Sequence, residues 1–123
     1  MRRTVALLSL VLALALVPST AATTKILVAR VGLHDSYVIS LKTPAGRVVR
    51  TIPAGTYTIV VHDYSRLHNF ALGSQTANRR LFTGGVRWTG TKSYKVTLTP
   101  GHYAYACSAH PYTMNGTFTV VGG

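Results

Sequence analysis

The sequence has 123 residues, with 13 Lys and Arg but only two carboxylate side chains, Asp35 and Asp63, and it contains no Glu. Enzymes that work through paired carboxylates need an acid and a base held close together. Two aspartates far apart in the chain are a weak basis for such chemistry. The composition therefore argues against a hydrolase, and we expect a protein that is not an enzyme.

The first 22 residues have the organisation of a secretory signal peptide. A basic start, Met1-Arg2-Arg3, precedes an almost entirely apolar run of 13 residues from Val5 to Val17, and small residues follow up to Ala22. The run is shorter than the ~20 residues that a helix needs to cross a bilayer. We expect a cleaved signal helix over residues 1–22, no stable membrane insertion, and a mature domain over residues 23–123. The protein would then be exported to the cell envelope, the periplasm or the outside.

Without the signal peptide, 11 basic residues face two aspartates, which gives a net charge of +9. Such a charge favours anionic surroundings and anionic partner proteins. The basic residues are scattered from Lys25 to Lys95 rather than clustered, which is typical of a solvated surface, and export argues further against nucleic acid as a partner. About 100 residues suffice for one domain with a core, and we expect a monomer.

Beyond the signal segment, short runs of alternating apolar and polar residues predict β-strands, and no helical period of useful length occurs. The predicted strands cover residues 26–31, 37–42, 47–52, 56–62, 93–99, 102–107 and 116–121. Turn residues separate them, as in Pro44-Ala45-Gly46 and Pro53-Ala54-Gly55. About seven to eight short strands with such turns favour an all-β sandwich or barrel.

The spacing also predicts how some strands pair. Three strands within residues 37–62 leave no room for long crossovers, which favours antiparallel pairing among them. The strands at 93–99 and 102–107, joined at Pro100-Gly101, predict a hairpin.

Between residues 72 and 88 the alternation weakens, which predicts a long connection between two sheets. Three aromatic residues are expected in the core, namely Trp88, Tyr94 and Phe118.

One loop concentrates side chains that bind metals. The segment Cys107-Ser-Ala-His110-Pro-Tyr-Thr-Met114 carries a thiol, an imidazole and a thioether within eight residues. A copper centre of the electron-transfer kind uses one Cys and two His in a trigonal arrangement, with a weak axial Met. The loop supplies three of these four ligands.

The second imidazole must come from elsewhere in the chain. His68, at the start of a predicted strand, is the best candidate, and its rival His62 ends the preceding strand and is expected at the surface. Asn69 is placed to hydrogen-bond across the site and orient the Cys107 loop. We therefore predict one copper ion per chain, held by His68, Cys107, His110 and Met114.

These motifs resemble the cupredoxins, the blue copper family that includes plastocyanin, azurin and amicyanin. The resemblance covers residues 36–121 and combines a His-Asn-Phe strand start with the ending Tyr-x-Tyr-x-Cys-x-x-His-Pro-x-x-Met-x-Gly-x-Phe-x-Val. It implies a Greek-key β-sandwich with copper held by the same four residues near one end. It also implies that His110 lies near the surface and passes the electron through an apolar patch that includes Pro111 and Tyr112.

The spacing within the loop departs from the named subfamilies. Three residues separate His110 from Met114, whereas plastocyanins have four at this place and amicyanins two, and azurins have a longer gap between Cys and the second His. The sequence therefore matches none of these subfamilies. Of the four predicted ligands, Met114 in its axial role is the one that this departure in spacing affects most.

Two other uses of the same residues fit the sequence less well. A Cys107–His110 nucleophile pair lacks a third member and an oxyanion hole, and a thioether is a poor fourth ligand for zinc. The expected function is an exported mononuclear copper protein that carries single electrons between redox partners. The alternative is copper buffering or delivery without redox cycling, which uses the same site.

Overall fold

A computed structural model of the protein describes residues 11–17 and 24–123. Residues 11–17, part of the predicted signal peptide, are exposed and form neither helix nor strand; the rest of that segment, with the predicted cleavage position, lies outside the described residues. In the described ranges, no helix is long and apolar enough to cross a bilayer. The division at residue 22 stays a prediction.

The described residues form a two-sheet β-sandwich with nine strands, slightly more than the seven to eight predicted. The strands are β1 (Lys25–Val31), β2 (Ile39–Lys42), β3 (Thr51–Pro53), β4 (Gly55–Asp63), β5 (Ala71–Ser74), β6 (Arg79–Thr83), β7 (Gly90–Leu98), β8 (Gly101–Ala106) and β9 (Asn115–Val121). One sheet has the order β2-β1-β4-β7 and the other β3-β9-β8-β5-β6. The all-β sandwich predicted from the sequence is confirmed.

The predicted antiparallel pairing within residues 37–62 is confirmed at one antiparallel bridge, between Lys42 and Val48, but is wrong for β2, β3 and β4. Strand β1 lies between β2 and β4 and runs parallel to β4, while β3 joins the other sheet, parallel to β9. Short spacing along the chain therefore does not make these strands neighbours, because β1 separates β2 from β4 in one sheet and β3 belongs to the other.

The prediction of a β7–β8 hairpin is also wrong. Strand β7 pairs with β4, whereas β8 lies between β9 and β5 in the opposite sheet. The turn between them crosses from one sheet to the other and is fixed by the Tyr103 hydroxyl, which donates to the Thr99 carbonyl at 2.8 Å and accepts from the Thr99 N–H at 3.0 Å. Two well-alternating strands here face each other across the core instead of sharing hydrogen bonds.

Residues 72–88 are not a plain connection, as predicted, but contain the antiparallel pair β5–β6. Only the part after β6 crosses to the other sheet. Trp88 lies in that crossing and is 42% exposed, so its predicted place in the core is wrong, whereas Phe118 is buried and Tyr94 packs against the core.

The core fills the space between the sheets with the inward residues of the alternating strands. In β4, Tyr57, Ile59 and Val61 are buried while the residues between them are more exposed. Each such side chain contributes roughly 1.5–3 kcal/mol relative to an exposed one. The core continues to one end of the sandwich, where it includes Cys107 and Met114.

Candidate metal centre

Three candidate ligands come together at the end of the sandwich where β5 begins and β8 ends. His68 lies just before β5, and Cys107 directly follows β8. These two strands are paired neighbours, with Ala71 opposite Ala106. His110 lies in the loop from β8 to β9, and the ligand atoms of the three residues all lie within 4.8 Å of one another.

The three atoms form a nearly regular triangle, with the Nδ1 atoms of both imidazoles facing inward. Nδ1 of His68 lies 3.1 Å from Nδ1 of His110, and Sγ of Cys107 lies 3.8 Å from the first and 3.7 Å from the second. A triangle with these sides has a point about 2.1 Å from all three corners. Bonds from a first-row metal such as zinc to imidazole nitrogen and thiolate sulfur measure about 2.0–2.3 Å. One metal ion therefore fits between these atoms with little movement of any side chain.

The loop that carries Cys107 and His110 is a compact turn closed by backbone hydrogen bonds. The His110 N–H donates to the Cys107 carbonyl at 3.1 Å, and the Met114 N–H donates to the His110 carbonyl at 2.9 Å. The Cys107 N–H donates back to the Met114 carbonyl at 3.0 Å. These hydrogen bonds hold Cys107, His110 and Met114, which are three and four residues apart along the loop, in a fixed arrangement.

Met114 is completely buried and belongs to the same core cluster as Cys107. Its backbone is hydrogen-bonded to Cys107 and His110, the two other residues of the loop with metal-binding side chains. Its burial keeps a thioether on the protein side of the loop and away from solvent, which is compatible with an axial ligand. The coordination of a metal by its sulfur stays a prediction.

Asn69 connects the His68 segment to the Cys107 loop, as the sequence predicted. Its Oδ1 accepts the Ser108 N–H at 2.7 Å, and its Nδ2 donates to Ser108 Oγ at 2.7 Å and to the Gly84 carbonyl at 2.8 Å. The Asn69 backbone N–H also points to Cys107 Sγ at 3.5 Å. This contact ties the backbone beside His68 to the sulfur that would bind the metal, as partners of metal ligands commonly do.

A short polar turn before β5 sets the position of His68. Asp63 Oδ1 accepts the Ser65 N–H at 3.1 Å, and Ser65 Oγ accepts the Leu67 N–H at 3.0 Å. The Nε2 of His68 lies 3.4 Å from the Asp35 carbonyl. An Nε2–H that donates to this carbonyl leaves Nδ1 as the lone-pair atom facing the other ligands, which is the tautomer a metal needs.

Asp63 is a buried carboxylate in that turn. Burial raises its pKa from 3.8 to about 6, while the Ser65 amide hydrogen bond and the charge of His68 act in the opposite direction. Burial of the Asp63 carboxylate therefore costs desolvation free energy, and the hydrogen bond that it accepts from Ser65 offsets part of this cost.

An aromatic residue, Tyr37, completes the site on the solvent side. Its ring centroid lies 4.9 Å from that of His68 and 4.9 Å from that of His110, at interplanar angles of 69° and 73°. The two imidazoles are themselves 4.8 Å apart at 65°. The three rings therefore form a nearly equilateral, mutually edge-on cluster.

Tyr37 is carried by the connection from β1 to β2, residues 32–38, which we call the strap. The strap is closed by a hydrogen bond from the Gly32 N–H to the Val38 carbonyl at 3.0 Å, and Gly32 has a φ of +70°. A Cβ at Gly32 would lie 2.6 Å from Ser65 Cβ and 3.1 Å from His68 Cδ2. The strap therefore lies directly against the His68 turn, which only glycine permits.

The remaining histidines lie outside this group. His62 bonds to Thr91 and His102 to Thr119, each through Nδ1 and a side-chain hydroxyl, at 3.0 and 3.2 Å. His34 is exposed in the strap. Of the two imidazole candidates weighed from the sequence, His68 rather than His62 meets Cys107.

Three features of the site were not found from the sequence: the Tyr37 ring, the Asp35 carbonyl and Ser108. Ser108 follows Cys107 directly, so its proximity to the loop was available from the sequence, but its bonds to Asn69 were not. Tyr37 and Asp35 had no signal of their own, because only the fold places the strap over the site.

Solved structures of copper proteins have a fold similar to this one. No family model and no curated protein matches the sequence. Among solved structures, the copper protein rusticyanin matches with a TM-score of 0.62 and 17% identity, over 82% of this chain and 80% of that one. Rusticyanin from Thiobacillus ferrooxidans in another structure matches at 0.55 and 18%, over 82% and 79%. Auracyanin A, a "blue" copper protein from Chloroflexus aurantiacus, matches at 0.57 and 16%, over 80% of this chain and 100% of that one.

At these identities the likeness is one of fold. It extends over most of this chain. That no family model and no curated protein matches is consistent with the expectation that the chain joins none of the named subfamilies. The chain therefore has the cupredoxin fold, the one it shares with rusticyanin and auracyanin A.

Proposed function

We propose that this protein binds one copper ion and carries single electrons. The observation that carries the proposal is the triangle of His68 Nδ1, His110 Nδ1 and Cys107 Sγ, whose centre suits one metal ion. One thiolate and two imidazoles with a thioether nearby are the ligand set of blue copper electron-transfer sites. The names of the structural neighbours, both copper proteins, support the same choice of metal.

Copper would supply the redox change, accepting one electron as Cu(II) and releasing it as Cu(I). The protein's part is to keep the ligands still. His68 and Cys107 are completely buried and sit at the ends of paired strands, so their separation is set by the sheet. A ligand set that does not rearrange between two oxidation states lowers the barrier to electron transfer.

His110 is the half-buried member of the set and gives a route to the surface. Pro111 and Tyr112 beside it are exposed, and Tyr112 is 96% exposed. Apolar side chains around a partly exposed ligand suit a brief contact with a redox partner. We include this patch in the proposal as the place where electrons enter and leave.

We also propose that the protein is exported, that it is a monomer and that its redox partner is anionic. Support for the partner comes from charge: an open cavity of about 570 Å³ on the β5–β6–β8 face is lined by Arg79 and Arg80 and by neither aspartate. Support for export comes from the signal-like residues 1–22. The carrier acts on electrons alone, so we propose no enzymatic reaction.

Copper delivery uses the same ligands, but burial favours the carrier. Release of the ion to an acceptor needs access to the ligands, whereas Cys107, His68 and Met114 are completely buried. Reversible reduction with fast self-exchange would support the carrier, and transfer of Cu(I) to an acceptor without redox cycling would support delivery.

The test is the visible spectrum of the purified protein loaded with Cu(II). We expect a strong band near ~600 nm from thiolate-to-copper charge transfer. Cys107→Ser should abolish the band, because the thiolate is the chromophore. A folded, copper-loaded protein without this band would overturn the proposal.

A pair of histidine variants tests the ligand assignment. His68→Ala should lower copper affinity and change the spectrum, because it removes one corner of the triangle. His62→Ala is the matched control and should leave both unchanged, since His62 bonds to Thr91 instead. The opposite pattern would show that the second imidazole has been assigned to the wrong residue.

A further inference from the structure

We propose that Tyr37 is a positioning residue for the metal centre, which holds the two imidazoles in place and keeps water away from them. The inference rests on the proposed copper function and concerns a residue outside the ligand set. It starts from one juxtaposition: a single aromatic ring contacts both candidate histidine ligands edge-on, at 4.9 Å from each.

The geometry is that of favourable aromatic pairing. Aromatic rings prefer edge-to-face contacts with centroids about 4.5–7 Å apart. The two contacts of Tyr37 and the contact between His68 and His110 all lie within that range, at 65–73°. Rotation of either imidazole about its side-chain bonds would break two of these three contacts. The rings therefore restrain one another before any metal is bound.

The position of Tyr37 follows from the strap and not from its own burial. The strap is short and closed on itself by hydrogen bonds from Gly32 to Val38, from Asp35 to Gly32 and from Ser36 to Leu33, at 2.9–3.1 Å. Asp35 in the same strap meets Nε2 of His68 through its carbonyl. The strap therefore contacts the site in two ways. Its Asp35 carbonyl meets Nε2 of His68, and its Tyr37 ring packs against the imidazoles of His68 and His110.

Tyr37 is 59% exposed, so its ring lies between the imidazoles and the solvent. Removing the ring would admit water to His68, which is completely buried. Water stabilises the more highly charged Cu(II) state over Cu(I), because solvation grows with charge. A cover of this kind therefore raises the reduction potential as well as restraining the ligands.

Tyr37→Ala is the main test, with Tyr37→Phe and Tyr64→Ala as controls. The exposure of Tyr37 means that the alanine variant should fold. We expect Tyr37→Ala to lower the affinity for Cu(I), measured by competition with a chelator, by about tenfold, the effect typical of residues that orient metal ligands. Its reduction potential should fall. Tyr37→Phe keeps the ring and should stay near wild type. Tyr64→Ala removes an exposed ring that stacks on His62 and not on a candidate ligand, and it should match wild type.

A measurement on the metal-free protein separates this proposal from the copper function. In NMR spectra of the apoprotein, Tyr37→Ala should shift the imidazole C–H signals of both His68 and His110, while Tyr64→Ala should leave them in place. The copper proposal fails if no blue band forms, whatever these signals do. The Tyr37 proposal is overturned if the signals, the affinity and the potential of Tyr37→Ala all equal those of Tyr64→Ala.

Discussion

At the scale of single residues, the metal centre divides into a part that is local in sequence and a part that is not. Cys107, His110 and Met114 lie within one loop, so their proximity could be predicted from spacing alone. His68 could be chosen over His62 only through its place before a strand and its neighbour Asn69. The contacts of Tyr37 could not be predicted, because they depend on where the strap lies in space.

Asp63 gives a prediction at this scale. Its folded-state pKa, about 6, lies above the value of 3.8 for an unburied aspartate. As pH rises from 3.8 to 6, the unfolded chain has lost the proton that the folded protein still holds, so stability should fall through this window and stay lower above it. Asp63→Asn removes this titration and keeps an Oδ1 acceptor for the Ser65 N–H.

We therefore expect metal-free Asp63→Asn to gain about 1 kcal/mol over the metal-free wild type at pH 7, and little or nothing near pH 4. Urea unfolding at a series of pH values measures the difference. Asp35→Asn, at an exposed position, is the control and should show no such gain. A constant difference between wild type and Asp63→Asn across the range would contradict the assignment.

At the scale of elements, strand positions were easier to predict than strand partners. The alternation in β1, β4, β7, β8 and β9 reports which residues face the core, and those predictions agree with the burial of Tyr57 and Phe118. Alternation does not report which sheet a strand joins. By its sequence, the turn at Thr99–Gly101 could close a hairpin or cross between the sheets. In the structure it crosses, and the Tyr103 hydroxyl stabilises the crossing through its hydrogen bonds to the Thr99 backbone.

The strap gives the prediction at this scale. Gly32→Ala combines a left-handed backbone with a collision against Ser65 and His68, whereas Gly46→Ala has a φ of +86° with nothing within 4 Å of the added Cβ. Gly46→Ala should therefore cost about 1 kcal/mol through the backbone alone. Gly32→Ala should cost about 1–3 kcal/mol more, from crowding, and should also weaken metal binding.

Thermal or urea unfolding of both variants measures the two costs, and metal titration measures the second effect. Equal stability of the two variants would mean that the strap gives way without disturbing the His68 turn. In that case the close approach of the strap to the site would not be a structural requirement.

At the scale of the whole molecule, charge is the dominant feature, with 11 basic residues and two aspartates in residues 23–123. A strongly positive protein attracts small anions over distances of about 10 Å at moderate salt. The rate of electron exchange with the anion ferrocyanide should therefore fall several-fold as salt rises from ~10 mM to ~200 mM. The rate with a cationic ruthenium ammine complex should rise, and rates that both fall would contradict the charge argument.

Five of these 11 basic residues lie on the outer strands of the two sheets, which are β2 and β7 in one and β3 and β6 in the other. Strand β7 carries Lys92 and Lys95, β6 begins with Arg79 and Arg80, and β3 ends at a proline. Unpaired strand edges invite another chain to extend the sheet, and cations or proline at those edges oppose it. The cations and the proline on these edges therefore oppose the assembly of protein molecules into fibres through their sheet edges. Concentrated salt would weaken the part of this protection that comes from charge repulsion between molecules.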